Sequence, residues 1–145
     1  MDRPLPEKAS AFAHFTNITT RWIDNDAYGH INNVVYYEYF DTVVNAYLIA
    51  QGVLDIAKGA VIGLVVETHC NYFSPIAFPD KLRVGLKVAR LGTSSVRYDI
   101  GIFRERETTA SAQGHLVHVY VDRASGRPVP LPAAFRKALE PLVRS

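Results

Sequence analysis

The segment Asn32 to Ala50 constrains the fold more than any other part of the chain. Its polar residues Glu38, Asp41, Thr42 and Asn45 fall at i, i+3, i+4 and i+7, so they share one narrow face of a helix. Val34, Val35, Tyr36, Tyr37, Tyr39, Phe40, Val43, Val44, Tyr47, Leu48 and Ile49 cover the remainder. A helix apolar over so wide an arc has to be enclosed by other structure rather than laid on a surface. Gly52 is placed to end it, because glycine takes the left-handed conformation of a helix C-terminus without strain.

The enclosing material is legible in the change of period that follows. Val61 to Phe73 starts as an aliphatic run of the kind found in buried strands. Leu82, Val84, Leu86 and Val88 alternate with Arg83 and Lys87, and Val96, Tyr98, Ile100 and Ile102 alternate with Arg97 and Asp99. Val117, Val119 and Val121 alternate with His118 and Tyr120. Turns are expected at Pro79-Asp80, Gly92 and Gly126-Arg127-Pro128, with a charged hairpin tip at Glu105-Arg106-Glu107. Ahead of the helix, Phe15 to Asp24 reads as a strand, preceded by a loose arm of about a dozen residues. Pro132 opens a short final helix from Ala133 to Leu139. The pattern predicts an α+β domain in which a curved, five-stranded antiparallel sheet wraps one long helix. Such a sheet keeps open edges, so pairing with a second copy into a homodimer or homotetramer is expected.

The 145 residues suit a single domain spanning the chain, with its core between about 14 and 123. Sixteen basic and fourteen acidic side chains leave a formal charge of +2, too small and too scattered for a nucleic-acid partner. The one cysteine, Cys70, excludes a multi-cysteine zinc site and an internal disulfide within one copy. No secretory signal core is visible, and no aliphatic run approaches the ~20 residues that span a bilayer, so a cytoplasmic protein without membrane insertion is expected. His115 and His118, three apart on a strand, point to opposite faces. With His14, His30 and His69 they form no helical i, i+4 pair, and neither a metal nor another cofactor is predicted.

Immediately before the helix, Arg21-Trp22-Ile23-Asp24-Asn25-Asp26-Ala27-Tyr28-Gly29-His30-Ile31-Asn32-Asn33 packs carboxylates, amides, a histidine and a glycine into thirteen residues. Polar groups this dense beside a core are costly unless hydrogen-bonded or solvated. By spacing alone, Asp24, Asn25 and Asn32 read as turn and N-cap residues, which these types favour. His30 reads equally as a structural histidine or as a group orienting Asp26 or a substrate.

The pattern Arg-aromatic-x-Asp-x-Asp-x-x-Gly-His-x-Asn-Asn-x-x-Tyr, from Arg21 to Tyr36, resembles the hotdog-fold thioesterases, in particular the 4-hydroxybenzoyl-CoA thioesterase-like group. Tyr39-Phe40-Asp41, Val66-Glu67 to Pro75 and Arg90 to Val96 extend the likeness over residues 14 to 123. The resemblance implies a hotdog fold and hydrolysis of acyl-CoA or aroyl-CoA thioesters. It places the catalytic carboxylate at Asp26 and the oxyanion donor at the backbone N–H of Asn33. Hotdog thioesterases that act on acyl carrier protein typically have asparagine where Tyr28 stands here, which favours CoA. A carrier-protein thioesterase and a non-catalytic module that binds acyl thioesters or assists assembly are the alternatives. A hydratase is disfavoured, because its Asp-x-x-x-x-His spacing on a helix is missing.

The chemistry matches these residue types. An aspartate of ordinary acidity, near ~3.9, is ionised at neutral pH and can serve as base or nucleophile. The first N–H groups of a helix lack intrahelical partners and lie at the positive end of its dipole, where they can hold a developing oxyanion. Gly29 permits close approach of the loop, and Tyr36 is a candidate substrate contact. Arg90, beside Ser94 and Ser95 in a glycine turn, suits a CoA phosphate, although a solvated strand end is an equally good reading. Arg97, Arg104 and Arg106 are weaker candidates, and Glu67 is a further carboxylate whose ordinary role is solvation or pairing.

Overall fold

The computed structural model describes residues 4–144. Its elements are β1 (His14–Thr19), α1 (Asn33–Ala50), β2 (Val61–Tyr72), β3 (Lys81–Leu91), β4 (Ser95–Arg104), β5 (Ala112–Asp122) and α2 (Ala133–Leu139). The strands form one antiparallel sheet in the order β1-β3-β4-β5-β2, curved round α1. This is the hotdog architecture expected of one enclosed helix.

The core lies between α1 and the concave face of the sheet. Phe40, Val43, Val44 and Leu48 of α1 pack on Leu82, Val84, Leu86 and Val88 of β3 and on Val96, Tyr98, Ile100 and Ile102 of β4. Helix α1 begins one residue later than the pattern suggests, because Asn32 is its N-cap and accepts the Val34 N–H at 3.1 Å. It ends at Gly52, whose φ of 74° is left-handed. Helix α2 lies where Pro132 places it and buries Phe135 and Leu139 against the same core.

Three expectations give way to tertiary contacts. The strand predicted from Phe15 to Asp24 stops at Thr19, and Trp22–Asp24 forms a single 3₁₀ turn. The Asp24 carboxylate accepts the Arg21 N–H at 2.8 Å, so the chain folds back before it can extend. The described part of the N-terminal arm is not loose. Glu7 O accepts from Ala110 N–H, Ala9 N–H donates to Thr108 O, and Glu7 pairs with the buried Lys87 ammonium at 2.7 Å. Phe12 closes this arm over the convex face, edge-on to Phe103 and Phe15 and above Gly85 and Gly101, where a Cβ would come within 2.8 Å of its ring.

In β5 the register decides which of the two alternating sets lies inward. Leu116, His118 and Tyr120 face α1, while Val117 and Val119 face outward and are half-buried. Cross-strand partners share a face. Leu116 lies opposite Tyr98 and His118 opposite Val96, both inward, so register overrides side-chain type. The aliphatic start of β2 is likewise not buried within one chain. Leu64, Val65 and Val66 are 47%, 50% and 59% exposed, because β2 is an edge strand.

Candidate active site

The site is built outward from a fixed point, Asp24. This carboxylate is buried and receives the Arg21 Nε and Nη2 on Oδ1 at 3.0 and 2.8 Å. Its Oδ2 takes the Arg21 backbone N–H and the Tyr39 hydroxyl, the latter at 3.1 Å. Burial opposes its charge, but the Arg21 and Tyr39 hydrogen bonds outweigh that and hold the carboxyl below its usual range. Asp24 O also accepts the Asn32 N–H at 2.9 Å, which ties the turn to the start of α1. Asp24 is therefore scaffold, as its sequence context indicates.

Between these anchors, residues 25–31 close into a small loop. Asn25 and Ile31 bridge, Asp26 N–H donates to His30 O at 2.7 Å, and Gly29 N–H donates to Asp26 O at 3.1 Å. Gly29 sits at φ 81°, which completes the turn and which side-chain-bearing residues rarely adopt. The Asp26 carboxylate is half-buried. Its Oδ1 accepts the N–H groups of Tyr28 and His30 at 2.8 and 3.3 Å, whereas Oδ2 has no partner among the described residues. The carboxylate is thus oriented by the backbone with one oxygen available. The His30 side chain is exposed and makes no hydrogen bond among the described residues, so within one chain its backbone, not its ring, orients Asp26.

The loop delivers the chain into α1. Asn32 satisfies two first-turn donors: Val34 N–H through its side chain, and Val35 N–H through its carbonyl at 2.9 Å. The N–H of Asn33 has no acceptor among the described residues, and the Asn33 side chain is exposed. Asn25 Oδ1 accepts from Phe78 N–H and Ile31 N–H donates to Ile76 O, so the segment before β3 supports the loop from behind.

Around this centre the structure gathers aromatic groups. Tyr36 is buried edge-on to Tyr72 at 4.8 Å, and its phenol is pushed up to about 12, first by burial, then by Cys70, with the Asp26 charge also contributing. That last cause places Tyr36 in the electrostatic reach of Asp26. The Tyr72 hydroxyl donates to Asn33 O at 3.3 Å, a contact not legible in the sequence because it joins β2 to α1. Trp22 and Ile23 are 76% and 78% exposed, and with Asp26 and Gly29 they line an open depression of about 650 Å³. Trp22 also meets Phe78 edge-on.

Arg90, Ser94 and Ser95 are not brought to this centre within one chain. They lie at the end of β3 and the start of β4, whereas the Asp26 loop packs near the start of β3. Ten residues of extended strand separate the two ends by ~30 Å. Arg97, at the start of β4, pairs with Asp99 at 3.0 Å, and Arg104, at its end, pairs with Glu107 at 2.7 Å. Glu67 lies on the convex face, 2.5 Å from His115 Nε2, and the His115 ring stacks on His69. The inward His118 and outward His115 point to opposite faces, as their spacing implies.

Residues 18–139 match the model of the thioesterase-like superfamily, and the chain belongs to that family. Its reaction class is thioester hydrolysis. The PA5185 protein from Pseudomonas aeruginosa is 53% identical, and its crystal structure aligns with a TM-score of 0.94 over 97% of this chain and 98% of that one. The PA2801 protein of the same organism, assigned to the thioesterases, is 31% identical with a TM-score of 0.80 over 88% of this chain and 98% of its own. The Bacillus subtilis protein YsmA, uncharacterized, is 28% identical over 89% of this chain and 86% of its own.

Proposed function

We propose that the protein hydrolyses acyl-CoA thioesters with Asp26 as the reacting carboxylate and the Asn33 N–H as oxyanion donor. The observation that carries this reading is the pairing of two available groups in one short, closed loop. Asp26 keeps Oδ2 free, and Asn32 occupies the Val34 and Val35 N–H groups while the Asn33 N–H has no acceptor among the described residues. A thioester carbonyl directed at that N–H is polarised by the donor and by the helix dipole.

In the general-base route Asp26 takes a proton from water, the hydroxide adds to the carbonyl carbon, and the C–S bond breaks to release the CoA thiolate, which then takes up the proton. In the nucleophilic route Oδ2 itself adds to the carbonyl carbon, and the C–S bond breaks to release the CoA thiolate as a mixed anhydride forms. Water cleaves that anhydride to the free acid and the Asp26 carboxylate while the thiolate takes up the proton. Single-turnover reaction in oxygen-18 water separates them, since only the second exchanges oxygen into the Asp26 side chain. Tyr28, in place of the asparagine of carrier-protein thioesterases, favours CoA over acyl carrier protein.

The proposed assembly is a two-fold dimer formed by antiparallel pairing of β2 edges. It satisfies the open side of the strand and covers Leu64, Val65 and Val66. Arg90, Ser94 and Ser95 belong to the site only where a neighbouring copy brings them to it. The single cysteine suits a reducing, cytoplasmic setting.

The test is turnover of a panel of acyl- and aroyl-CoA thioesters by wild type and Asp26→Asn, with the same acyl groups presented on acyl carrier protein. The expected result is CoA-linked turnover that falls by at least ~10³-fold in the variant. Equal turnover by both proteins removes Asp26 from the reaction. Tight binding of acyl-CoA without turnover identifies a binding module instead.

A further inference from the structure

The groove between α1 and β2 holds polar chemistry that the hydrolysis of the thioester does not use. Two hollows, of about 340 and 360 Å³, share Asp41 and Val65 and so form one channel along α1. The inner hollow has aliphatic lining from Leu54, Ile56 and Val65 and polar lining from Asp41, Asn45, His118 and Arg123, whose guanidinium is held by the carbonyls of Ile56 and Gly59. His118 is 3% exposed.

The proton on His118 can be placed by counting donors. Tyr98 is fully buried and its hydroxyl has a single partner among the described residues, the Tyr120 hydroxyl at 2.6 Å. A buried O–H has to donate, so Tyr98 donates to Tyr120. Tyr120 then spends its own proton on its remaining partner, His118 Nδ1, at 3.3 Å. The imidazole therefore accepts at Nδ1 and carries its hydrogen on Nε2. Burial lowers the His118 pKa against the opposing charge of Asp41, which keeps the ring neutral at neutral pH.

Nε2 has no partner among the described residues, yet it is not among the sealed, unsatisfied atoms, so it opens into the hollow. The chain also makes room for the ring, since a Cβ on Gly63 of β2 would lie 2.9 Å from His118 Nδ1 and 3.0 Å from the Tyr120 ring. On α1, Asn45 Nδ2 holds Asp41 Oδ1 at 3.1 Å and leaves the second carboxylate oxygen as an acceptor. A buried N–H donor and a carboxylate acceptor thus line the same hollow. A hydroxyl satisfies both, accepting from Nε2–H and donating to Asp41.

We propose that this channel takes the acyl chain of the substrate, and that His118 and Asp41 select a chain ending in a hydroxyl group. The inference rests on the assignment of the thioester to Asp26 and Asn33. From Asn33 to Asp41 the helix rises ~12 Å, the reach of an extended decanoyl chain.

The experiment compares kcat/KM for decanoyl-CoA and ω-hydroxydecanoyl-CoA in wild type, His118→Phe and Asp41→Asn. The ratio between the two substrates is the readout. Wild type is expected to favour the hydroxylated chain about ten-fold, the effect of one to two net hydrogen bonds, and each variant to bring the ratio close to one. Equal kcat/KM for both substrates in wild type overturns the inference while leaving Asp26 untouched.

Nitrogen-15 NMR of wild type reads the same site without turnover. The expected spectrum shows a neutral His118 protonated at Nε2, whose signal moves with ω-hydroxydecanoate and not with decanoate. A proton on Nδ1, or equal shifts with both acids, overturns the assignment. If no acyl-CoA is hydrolysed but the ω-hydroxy acid alone shifts His118, the pocket stands and the thioesterase reading falls.

Discussion

Replacing Asn32 by aspartate should make the protein more stable and slower at once. The carboxylate keeps the acceptor that caps Val34 N–H at 3.1 Å and adds negative charge at the positive end of an eighteen-residue helix. That interaction stabilises by about 0.3–1 kcal/mol, raising Tm by ~1–3 °C for a chain of this size. The same charge stands next to the Asn33 N–H, where the reaction develops an oxyanion. Two like charges about 5 Å apart at an effective dielectric of about 20 repel by ~3 kcal/mol, a loss in kcat on the order of 10²-fold. Calorimetry and steady-state hydrolysis of the best thioester found give the two numbers. Asn32→Ala is the control: it removes the cap, costs about 1 kcal/mol, and adds no charge. An Asn32→Asp protein that is more stable and as fast as wild type would refute the oxyanion assignment at this helix terminus.

Two further outcomes follow from the packing. Phe12→Ala, which empties the aromatic clasp over Gly85 and Gly101, should cost about 3 kcal/mol in urea unfolding; a loss below ~0.5 kcal/mol would mean the arm contributes no packing. The neutral, buried His118 predicts acid-sensitive stability. Its folded pKa lies below the unfolded value near ~6.5, so as pH falls through ~6.5 the unfolded chain binds a proton that the folded chain refuses, and stability declines. Above that value the group contributes no pH dependence. Urea midpoints measured across this range should slope for wild type and flatten for His118→Phe, and parallel curves would show that His118 is not held neutral.

The sequence by itself determined the elements whose physics is local. The apolar arc of Asn32 to Ala50 specifies an enclosed helix, and Asn32 and Gly52 sit at its ends because cap geometry depends on a few consecutive residues. Turn chemistry separates the strands, and the motif from Arg21 to Tyr36 singles out Asp26 as the candidate carboxylate. Only tertiary structure decided what depends on pairing. Alternation in β5 marks two faces without saying which is inward, and it took the register with β4 to send His118 and Tyr120 into the core. The burial of an aliphatic run depends on whether a neighbour covers it, so Leu64, Val65 and Val66 read as core and lie on an edge. Spacing could not reveal that Asn32 consumes the neighbouring donors and leaves the Asn33 N–H free. Nor could it reveal that Arg90 stands at the far end of the sheet, since distance across a fold is set by topology and not by separation along the chain.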